Sequence, residues 1–408
     1  MNNAKILLKL LKFYLDEEEF ALDLSYEQLH SIMQDAITHQ IHPIIYDVLS
    51  RLPQTEAIGH LLSEYKPVLL FASVRDIRSY ELILQTLDRL YAENIDVIAL
   101  KGLFIKSLYT KTEHRTMGDA DVVILDISQL EKALMIFETA GYKTDAPNND
   151  VYELKSEKGL IKIELHGCLK DATRKSTFTS DELHKLFGCC NPIWEECNGK
   201  RVLTIPHTGH FMYLLMHIAV HFMSGGFGFR QLLDIAIFAK IKQNDINWNE
   251  FSNAIERLGE AKFTYNIFML LKNYLGVDVT PKLSFSTNSC ADHSDELLEY
   301  IYNCGVFGRK GDENAFTNGI AGKIMSRNIV GKRAFFNLLF PRDVLKDQYS
   351  YALKYKILLP IAWTHRIFTF IKKELKKSSI KAHIDGLKKV DDRIRFVQKF
   401  DFDAKDDI

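Results

Sequence analysis

Over the first 92 residues, apolar side chains recur at intervals of three and four positions. One series comprises Ile6, Leu10 and Phe13, and another includes Ile83 and Leu87. This spacing places apolar side chains on one face of an α-helix. The sequence therefore predicts a helical region over residues 1–92.

The pattern changes between residues 93 and 205, where short β-rich apolar runs alternate with helical stretches. The predicted strands cover residues 95–100, 120–125, 151–154 and 160–165, and the last two are joined by a turn at residues 157–159. A helix is predicted over residues 128–140, with Ser128 as its N-cap and Gly141 as its C-terminal stop. This alternation predicts an α+β core, in which helices cover a small mixed sheet.

From residue 206 to residue 408 the spacing is helical again. Helices are predicted at residues 207–220 and 231–240, with a glycine-rich turn at residues 224–229 between them and a polar loop at residues 286–295. The predicted domains are thus an N-terminal helical region (1–92), an α+β core (93–205) and a C-terminal helical region (206–408).

Charge and composition narrow the function classes. The 408 residues contain 52 Lys and Arg against 53 Asp and Glu. The chain therefore lacks the basic excess of a protein that binds nucleic acid over its whole surface, but this count does not exclude a local basic patch. Its apolar runs fall short of the roughly 20 residues that span a bilayer, which argues against membrane insertion. The six cysteines form no CxxC pair. We expect reduced thiols and a cytoplasmic protein.

The segment GDADVVI at residues 118–124 carries the strongest chemical signal. Residues two apart in a strand point to the same face, so Asp119 and Asp121 project side by side at the start of a buried strand. Two buried carboxylates so close repel each other, and a divalent cation relieves that repulsion. Glu164 alternates with Ile163 and Leu165 in another strand and supplies a third acid if the two strands pair. The three acids predict a magnesium site suited to phosphoryl or nucleotidyl transfer.

Several short motifs together resemble a known family. They are DVIALKG (96–102), LY (108–109), RTMGDAD (115–121), GY (141–142) and IELH (163–166), with further similarity at residues 39–45, 217–234 and 358–366. As a set they resemble the uncharacterised bacterial nucleotidyltransferase family of the polymerase-beta-like nucleotidyltransferase superfamily. The resemblance extends over most of the chain.

The resemblance implies a nucleotidyltransferase that moves an NMP group from an NTP, with ATP the favoured donor, to an acceptor hydroxyl with release of pyrophosphate. It implies that Asp119, Asp121 and Glu164 are the catalytic acids and hold Mg²⁺ or Mn²⁺. Lys101 and Gly102 would open the helix that faces the nucleotide phosphates. The resemblance does not identify the acceptor, which can be a small molecule, a protein or RNA. It also does not indicate the oligomeric state.

The nucleotide-binding residues are expected to be Lys101, Gly102 and Arg115. The superfamily usually has Gly-Ser after the first strand, but this chain has Lys101-Gly102-Leu103, without a hydroxyl. Lys101 can supply a charge in its place. For Arg115, an ion pair with a nearby acid is the alternative to a phosphate contact.

Other motifs leave alternatives open. His210, His217 and His221 share a helical face. A core or pocket-lining position is favoured over zinc binding, because no carboxylate or cysteine at metal spacing accompanies the pair His217 and His221. Arg230 and Asp234 lie four residues apart, which favours a structural ion pair over a substrate contact. The basic stretch at residues 366–399 suits a solvated helix or an RNA or membrane surface.

The alternative function is a binding or scaffold protein that keeps a catalytically retired nucleotidyltransferase fold. The three intact acids favour the enzyme, whereas the missing hydroxyl favours the retired fold.

Overall fold

The computed structural model describes residues 3–18, 22–145, 151–156, 161–167, 169, 178–285, 290–306, 358–365 and 390–400. The chain divides into two compact units. One comprises Met1–Ile218 and Gly228–Tyr302, and the other comprises Ala219–Phe227 and Asn303–Ile408. No helix in the described part of the chain combines the length and the apolar character needed to cross a membrane.

Four helices open the first unit, as the apolar spacing predicts: α1 Asn3–Asp16, α2 Tyr26–Thr38, α3 His42–Arg51 and α4 Glu56–Ala92. Ser25 caps α2 through a capping box with Gln28, and Thr55 caps α4 by accepting from the N–H of Ile58. Their apolar faces are buried, including Leu10 of α1. Burial of these faces stabilises helices whose local propensity alone would be marginal.

A five-stranded mixed sheet follows, in the order β1-β2-β5-β4-β3. Its strands are β1 Val97–Ala99, β2 Asp119–Ile124, β3 Tyr142–Thr144, β4 Val151–Ser156 and β5 Lys162–His166. β2 pairs antiparallel with β1 and parallel with β5, whereas β4 pairs antiparallel with both β5 and β3. The α+β class predicted from the alternating pattern is therefore confirmed.

Short helices connect the strands, and a second sheet completes the region. α5 Gly102–Ile105 follows β1, α6 Leu130–Thr139 follows β2, and α7 Ser180–Leu186 precedes a two-stranded sheet of β6 Ile193–Cys197 and β7 Lys200–Thr204. Later helices of the chain are α8 His207–Ser224, α9 Phe229–Lys242, α10 Trp248–Arg257, α11 Ala261–Leu270 and α12 Ser294–Cys304. The glycine-rich segment at residues 224–229 links two helices, as predicted.

One local expectation differs from the structure, and two elements were not predicted. The predicted N-cap Ser128 does not cap α6, because a 3-10 turn at Ile127–Gln129 precedes that helix and Asp126 accepts from the N–H of Ser128. β3 is too short to stand out as a pattern. The β6–β7 hairpin was missed although Asn198-Gly199 is a strong hairpin signal, and both residues adopt positive φ.

Other expectations concern segments that the structure describes only in part. Gly141, with φ of +93°, ends α6 as predicted. The turn at residues 157–159 and residues 286–289 of the polar loop lie outside the described residues. The same holds for most of the basic stretch at residues 366–399.

The second unit is described at residues 219–227, 303–306, 358–365 and 390–400. Here helix α13 Val390–Gln398 carries Arg393, which donates to the carbonyl of Phe222 and lies over its ring at 4.9 Å. Phe396 and Phe400 also pack on Phe222. Aromatic contacts and one cation–π contact hold this helix in place.

Candidate active site

The parallel pairing of β2 and β5 brings two of the predicted acids together. Asp121 lies directly opposite Glu164, and Asp119 lies opposite Lys162. Paired residues of neighbouring strands point to the same face of the sheet, so the carboxylates of Asp121 and Glu164 face each other. The strand pairing that the three-acid hypothesis required is present.

His166 joins this pair of acids. One ligand atom each from Asp121, Glu164 and His166 lies within 4.8 Å of the other two. The Nε2 atom of His166 is 3.2 Å from Oδ1 of Asp121 and 3.9 Å from Oε2 of Glu164. The sequence placed His166 on the polar face of its strand but assigned it no role. Its alternation with Lys162 and Glu164 was the signal that could have identified it.

Asp119 lies at the start of the same strand but is not a member of this group of close ligand atoms among the described residues. Burial, followed by the charges of Asp121 and Glu164, raises the pKa of Asp119 above its ordinary value. The carboxylate of Asp119 is therefore influenced by the charges of Asp121 and Glu164, although it lies farther from the ligand atoms than these atoms lie from one another.

Lys101 supplies the nearest positive charge. Its Nζ atom lies 3.0 Å from Oδ1 of Asp121 and 5.6 Å from the centre of the Tyr213 ring. Burial opposes ionisation of Asp121, but Lys101, and then His166, hold the pKa of this carboxyl well below its usual range. Lys101 was expected to contact nucleotide phosphates. In the structure it pairs with Asp121, and the phosphate contact stays a prediction.

The backbone of Lys101 is strained into this position, with φ of +45° and ψ of −122°. Its N–H donates to Nε2 of His210 at 3.2 Å, and Nδ1 of His210 contacts the Thr204 hydroxyl at 3.3 Å. That hydroxyl donates to the carbonyl of Ala99, so His210 donates from Nδ1 and accepts at Nε2. His210 is therefore a neutral, buried support for Lys101, in agreement with the core position favoured from the sequence.

Gly102 lies against Arg115. A Cβ atom built on Gly102 would overlap Nη1 of Arg115 and lie 2.9 Å from its Cζ, so a larger residue requires the guanidinium to move. The helix that begins here, α5, has only four residues and continues as a 3-10 turn at Lys106–Leu108. Close backbone approach is thus shown at Gly102, while its contact with a nucleotide stays a prediction.

Arg115 forms a buried ion pair with Asp234 of α9. Its Nε and Nη2 atoms donate to the two oxygens of that carboxylate at 2.9 and 2.8 Å, and the Tyr109 hydroxyl donates to Oδ1 at 2.7 Å. The acid-pair alternative for Arg115 is therefore what the structure shows. Asp234 pairs with Arg115, whereas Arg230, its expected partner, donates to the carbonyl of Thr116 at 2.9 Å.

Lys162 supplies a second positive charge next to the acids. Its ammonium donates to Glu164 and lies 3.6 Å from Glu153 of the neighbouring strand. Glu164 keeps 22% of its side-chain surface exposed, against 8% for Asp121. A substrate can therefore reach Glu164 more easily than Asp121.

This chain is similar to a family of known proteins. The model of a family described as uncharacterised nucleotidyltransferase matches residues 27–276. A search of curated proteins gave no match. Among solved structures, the antibiotic-resistance factor ANT(2'')-Ia is 10% identical with a TM-score of 0.33, over 47% of this chain and 98% of its own. A nucleotidyltransferase-like antigenic protein from Paracoccidioides brasiliensis is 16% identical with a TM-score of 0.32, over 49% and 93%.

Proposed function

The chain belongs to the uncharacterised nucleotidyltransferase family, and we propose that it is a metal-dependent enzyme that transfers NMP from an NTP to an acceptor hydroxyl and releases pyrophosphate. ATP is the proposed donor. The observation that carries the proposal is the register that sets Asp121 beside Glu164, with His166 within 4.8 Å of both.

The donor set fits Mg²⁺ or Mn²⁺. Carboxylate oxygens are the ligands these cations prefer, and Asp119, Asp121 and Glu164 would hold the ion. Burial, and then the charges of Asp121 and Glu164, raise the pKa of Asp119, and a bound cation would favour the charged form of this carboxyl. When bound, the ion supplies charge neutralisation and orientation of the phosphoryl oxygens. The hydrogen bond from His166 fixes the orientation of the Asp121 carboxylate.

Glu164 is the proposed proton acceptor, because it is the more exposed of the two facing acids. It takes the proton of the acceptor hydroxyl, and the acceptor oxygen forms a bond to the α-phosphorus. The bond between that phosphorus and the oxygen bridging to the β-phosphate breaks, and pyrophosphate leaves with the electron pair. Lys162 must release Glu164 for this step, since the two side chains form an ion pair.

Lys101 and Gly102 are the proposed contacts of the donor phosphates. The ammonium of Lys101 already lies 3.0 Å from Asp121, so it can bridge this acid and a phosphate oxygen. At Gly102 the missing side chain leaves room for the guanidinium of Arg115 against the backbone. For Arg115 we propose a positioning role beneath Gly102, because its Nε and Nη2 atoms are engaged by Asp234.

The alternative is a binding or scaffold protein with a retired centre. One observation favours it: Lys101 pairs with Asp121 and Lys162 pairs with Glu164, so two of the three acids have counter-ions without any metal. Replacing Lys101 with Met separates the two functions. An enzyme should then bind Mn²⁺ more tightly without nucleotide, because the ion no longer competes with an ammonium. A retired centre should bind no Mn²⁺ in either form.

The proposed function can be tested by incubating the purified protein with each of the four α-³²P-labelled NTPs, Mg²⁺ and fractionated cell extract. The expected result is label transferred to one fraction, with ATP the best donor. The labelled fraction then identifies the acceptor as a small molecule, a protein or RNA by its sensitivity to protease and ribonuclease. Label that stays in NTP with every donor and fraction would contradict the proposal.

A further inference from the structure

Two buried arginines, Arg115 and Arg230, lie within the electrostatic influence of one buried carboxylate, Asp234. Arg115, Arg230 and Asp234 are each less than a tenth exposed. Tyr109 also contacts Asp234, but burial and that carboxylate raise its pKa well above the ordinary value, so it stays neutral. The cluster thus contains two positive charges and one negative charge.

The two arginines differ in how they are satisfied. Arg115 donates from two nitrogens to Asp234 in a bidentate pair. Arg230 donates through Nη1 to the carbonyl of Thr116, and its buried Nε has no acceptor among the described residues. Burial, and then the charge of Arg115, lower the pKa of Arg230 to about 10. Arg230 is therefore the cation in excess.

Arg230 also lies near Asp119, the first acid of β2. Thr116, which accepts from it, is three residues before Asp119, and the charge of Asp119 acts on Arg230. A Cβ atom built on Gly118, between these two residues, would meet no atom within 4 Å. The loop before β2 therefore contacts the buried Arg230 of α9 through Thr116 and is exposed to solvent at Gly118.

We propose that Arg230 binds the β- and γ-phosphates of the donor nucleotide, while Arg115 serves the fold. An anion at this position balances the excess charge and gives the guanidinium the acceptors that it lacks. The inference rests on the proposed function for the identity of the donor. It adds a phosphate contact from α9, far in sequence from the motifs at residues 96–121.

Isothermal titration of inorganic pyrophosphate, ATP and AMP in the presence of Mg²⁺ tests the proposal on the full-length protein. The variants are Arg230→Met, Arg230→Lys and, as a control, Arg201→Met, which changes an exposed arginine of β7. Arg230→Met should weaken pyrophosphate and ATP about tenfold to a hundredfold, which is the usual effect of losing a charged hydrogen bond. Arg230→Lys should weaken them less, and AMP should be unaffected. Unchanged pyrophosphate and ATP affinities in Arg230→Met would overturn the proposal.

Thermal unfolding without ligand provides the second readout. Arg230→Met should melt no lower than the wild type, because it removes a cation in excess. If both Arg230 variants fail to fold, the guanidinium is structural and the proposal is wrong. If pyrophosphate binding depends on Arg230 but the protein has no transferase activity, the proposed function is refuted and the inference about Arg230 stands. Active protein whose pyrophosphate binding is indifferent to Arg230 would refute this inference alone.

Discussion

The two charged clusters of the first unit are built in opposite ways. The acidic cluster, Asp119, Asp121, Glu164 and His166, lies on two neighbouring strands, and burial together with the charges of Asp121 and Glu164 raises the pKa of Asp119. The basic cluster contains Arg115 and Asp234, which form a bidentate, buried pair supported by Tyr109. A satisfied buried pair serves the fold, whereas crowded like charges oppose it unless a ligand is bound.

This difference separates residues whose loss should affect chemistry from residues whose loss should affect stability. Within the acidic cluster it also separates the two aspartates of β2. Asp121 has Lys101 as a counter-ion at 3.0 Å, whereas burial and two neighbouring acids disfavour the charge of Asp119.

Replacing either aspartate of β2 with Asn should reduce transfer of the α-label roughly a hundredfold to a thousandfold or more, the range seen when a charge-stabilising group is removed from a catalytic centre. Asn keeps the size of the side chain but loses the charge that holds a divalent cation. Initial rates of label transfer for Asp119→Asn and Asp121→Asn measure the effect. Asp145→Asn, an exposed acid paired with Lys155, is the control and should be fully active.

Metal-free thermal unfolding of the same two variants should give opposite shifts. Asp119→Asn should melt higher than the wild type, because it removes a charge that burial, Asp121 and Glu164 disfavour. Asp121→Asn should melt lower, because it leaves the buried ammonium of Lys101 without its counter-ion. Equal shifts in the two variants would show that the crowding of charge at Asp119 is not real.

Asp234→Asn should lower the free energy of unfolding by about 3–5 kcal/mol, the usual cost of removing one partner from a buried pair. Arg115 would keep its charge in a buried site without the carboxylate that neutralises it. Urea denaturation measures the change, with Asp245→Asn, an acid 52% exposed, as a control that should change little. Stability within error of the wild type would contradict the structural role of the pair.

Gly102→Ala should cost about 1–3 kcal/mol, because the added methyl group overlaps Arg115 and forces the guanidinium to shift. Gly59→Ala is the matched control. It lies inside helix α4 with no atom within 4 Å of the added Cβ, and should stabilise by about 0.5–1 kcal/mol. Gly102→Ala should also lower the rate of transfer, since Gly102 follows Lys101. Two alanine variants of equal stability would show that the contact with Arg115 is not tight.

His210 should make the fold sensitive to acid. Burial, and then the charge of His207, lower the pKa of His210 to about 3, so below pH 6.5 the unfolded chain takes up a proton that the folded protein refuses. The contribution of His210 is complete above pH 6.5 and is lost by about 1.4 kcal/mol per pH unit as the pH falls toward 3. His210→Gln should show a correspondingly smaller loss between pH 7 and 5. Parallel pH profiles of the two proteins would contradict the buried, neutral state.

The sequence predicted the acidic cluster better than the basic one for a physical reason. Asp119, Asp121 and Glu164 lie on β-strands whose alternation of apolar and polar residues is visible locally, and the pairing of two such strands is a short step. The pairing of Arg115 with Asp234 joins residues 119 positions apart, and no local pattern encodes it. The i,i+4 spacing of Arg230 and Asp234 suggested the wrong partner for Asp234. Its actual partner, Arg115, comes from a distant segment of the chain.

Two other features were missed for different reasons. The strained backbone of Lys101, with φ of +45°, follows from tertiary contacts to His210 and Asp121 that the chain does not show locally. The β6–β7 hairpin, in contrast, had a local signal in Asn198-Gly199 and could have been predicted. The helical character of the N-terminal region was predicted, without the bounds of its helices, because burial of one face leaves a period of 3.6 residues.

The acidic cluster is proposed to transfer a nucleotidyl group, and labelling ATP at two positions distinguishes this from transfer of the γ-phosphate. Purified protein is incubated with the acceptor fraction and ATP labelled at either the α- or the γ-phosphate, and the products are counted. We predict one pyrophosphate carrying the γ-label for each α-labelled nucleotide attached to the acceptor, and neither product with Asp121→Asn. Transfer of the γ-label to the acceptor, or an Asp121→Asn variant as active as the wild type, would contradict the account.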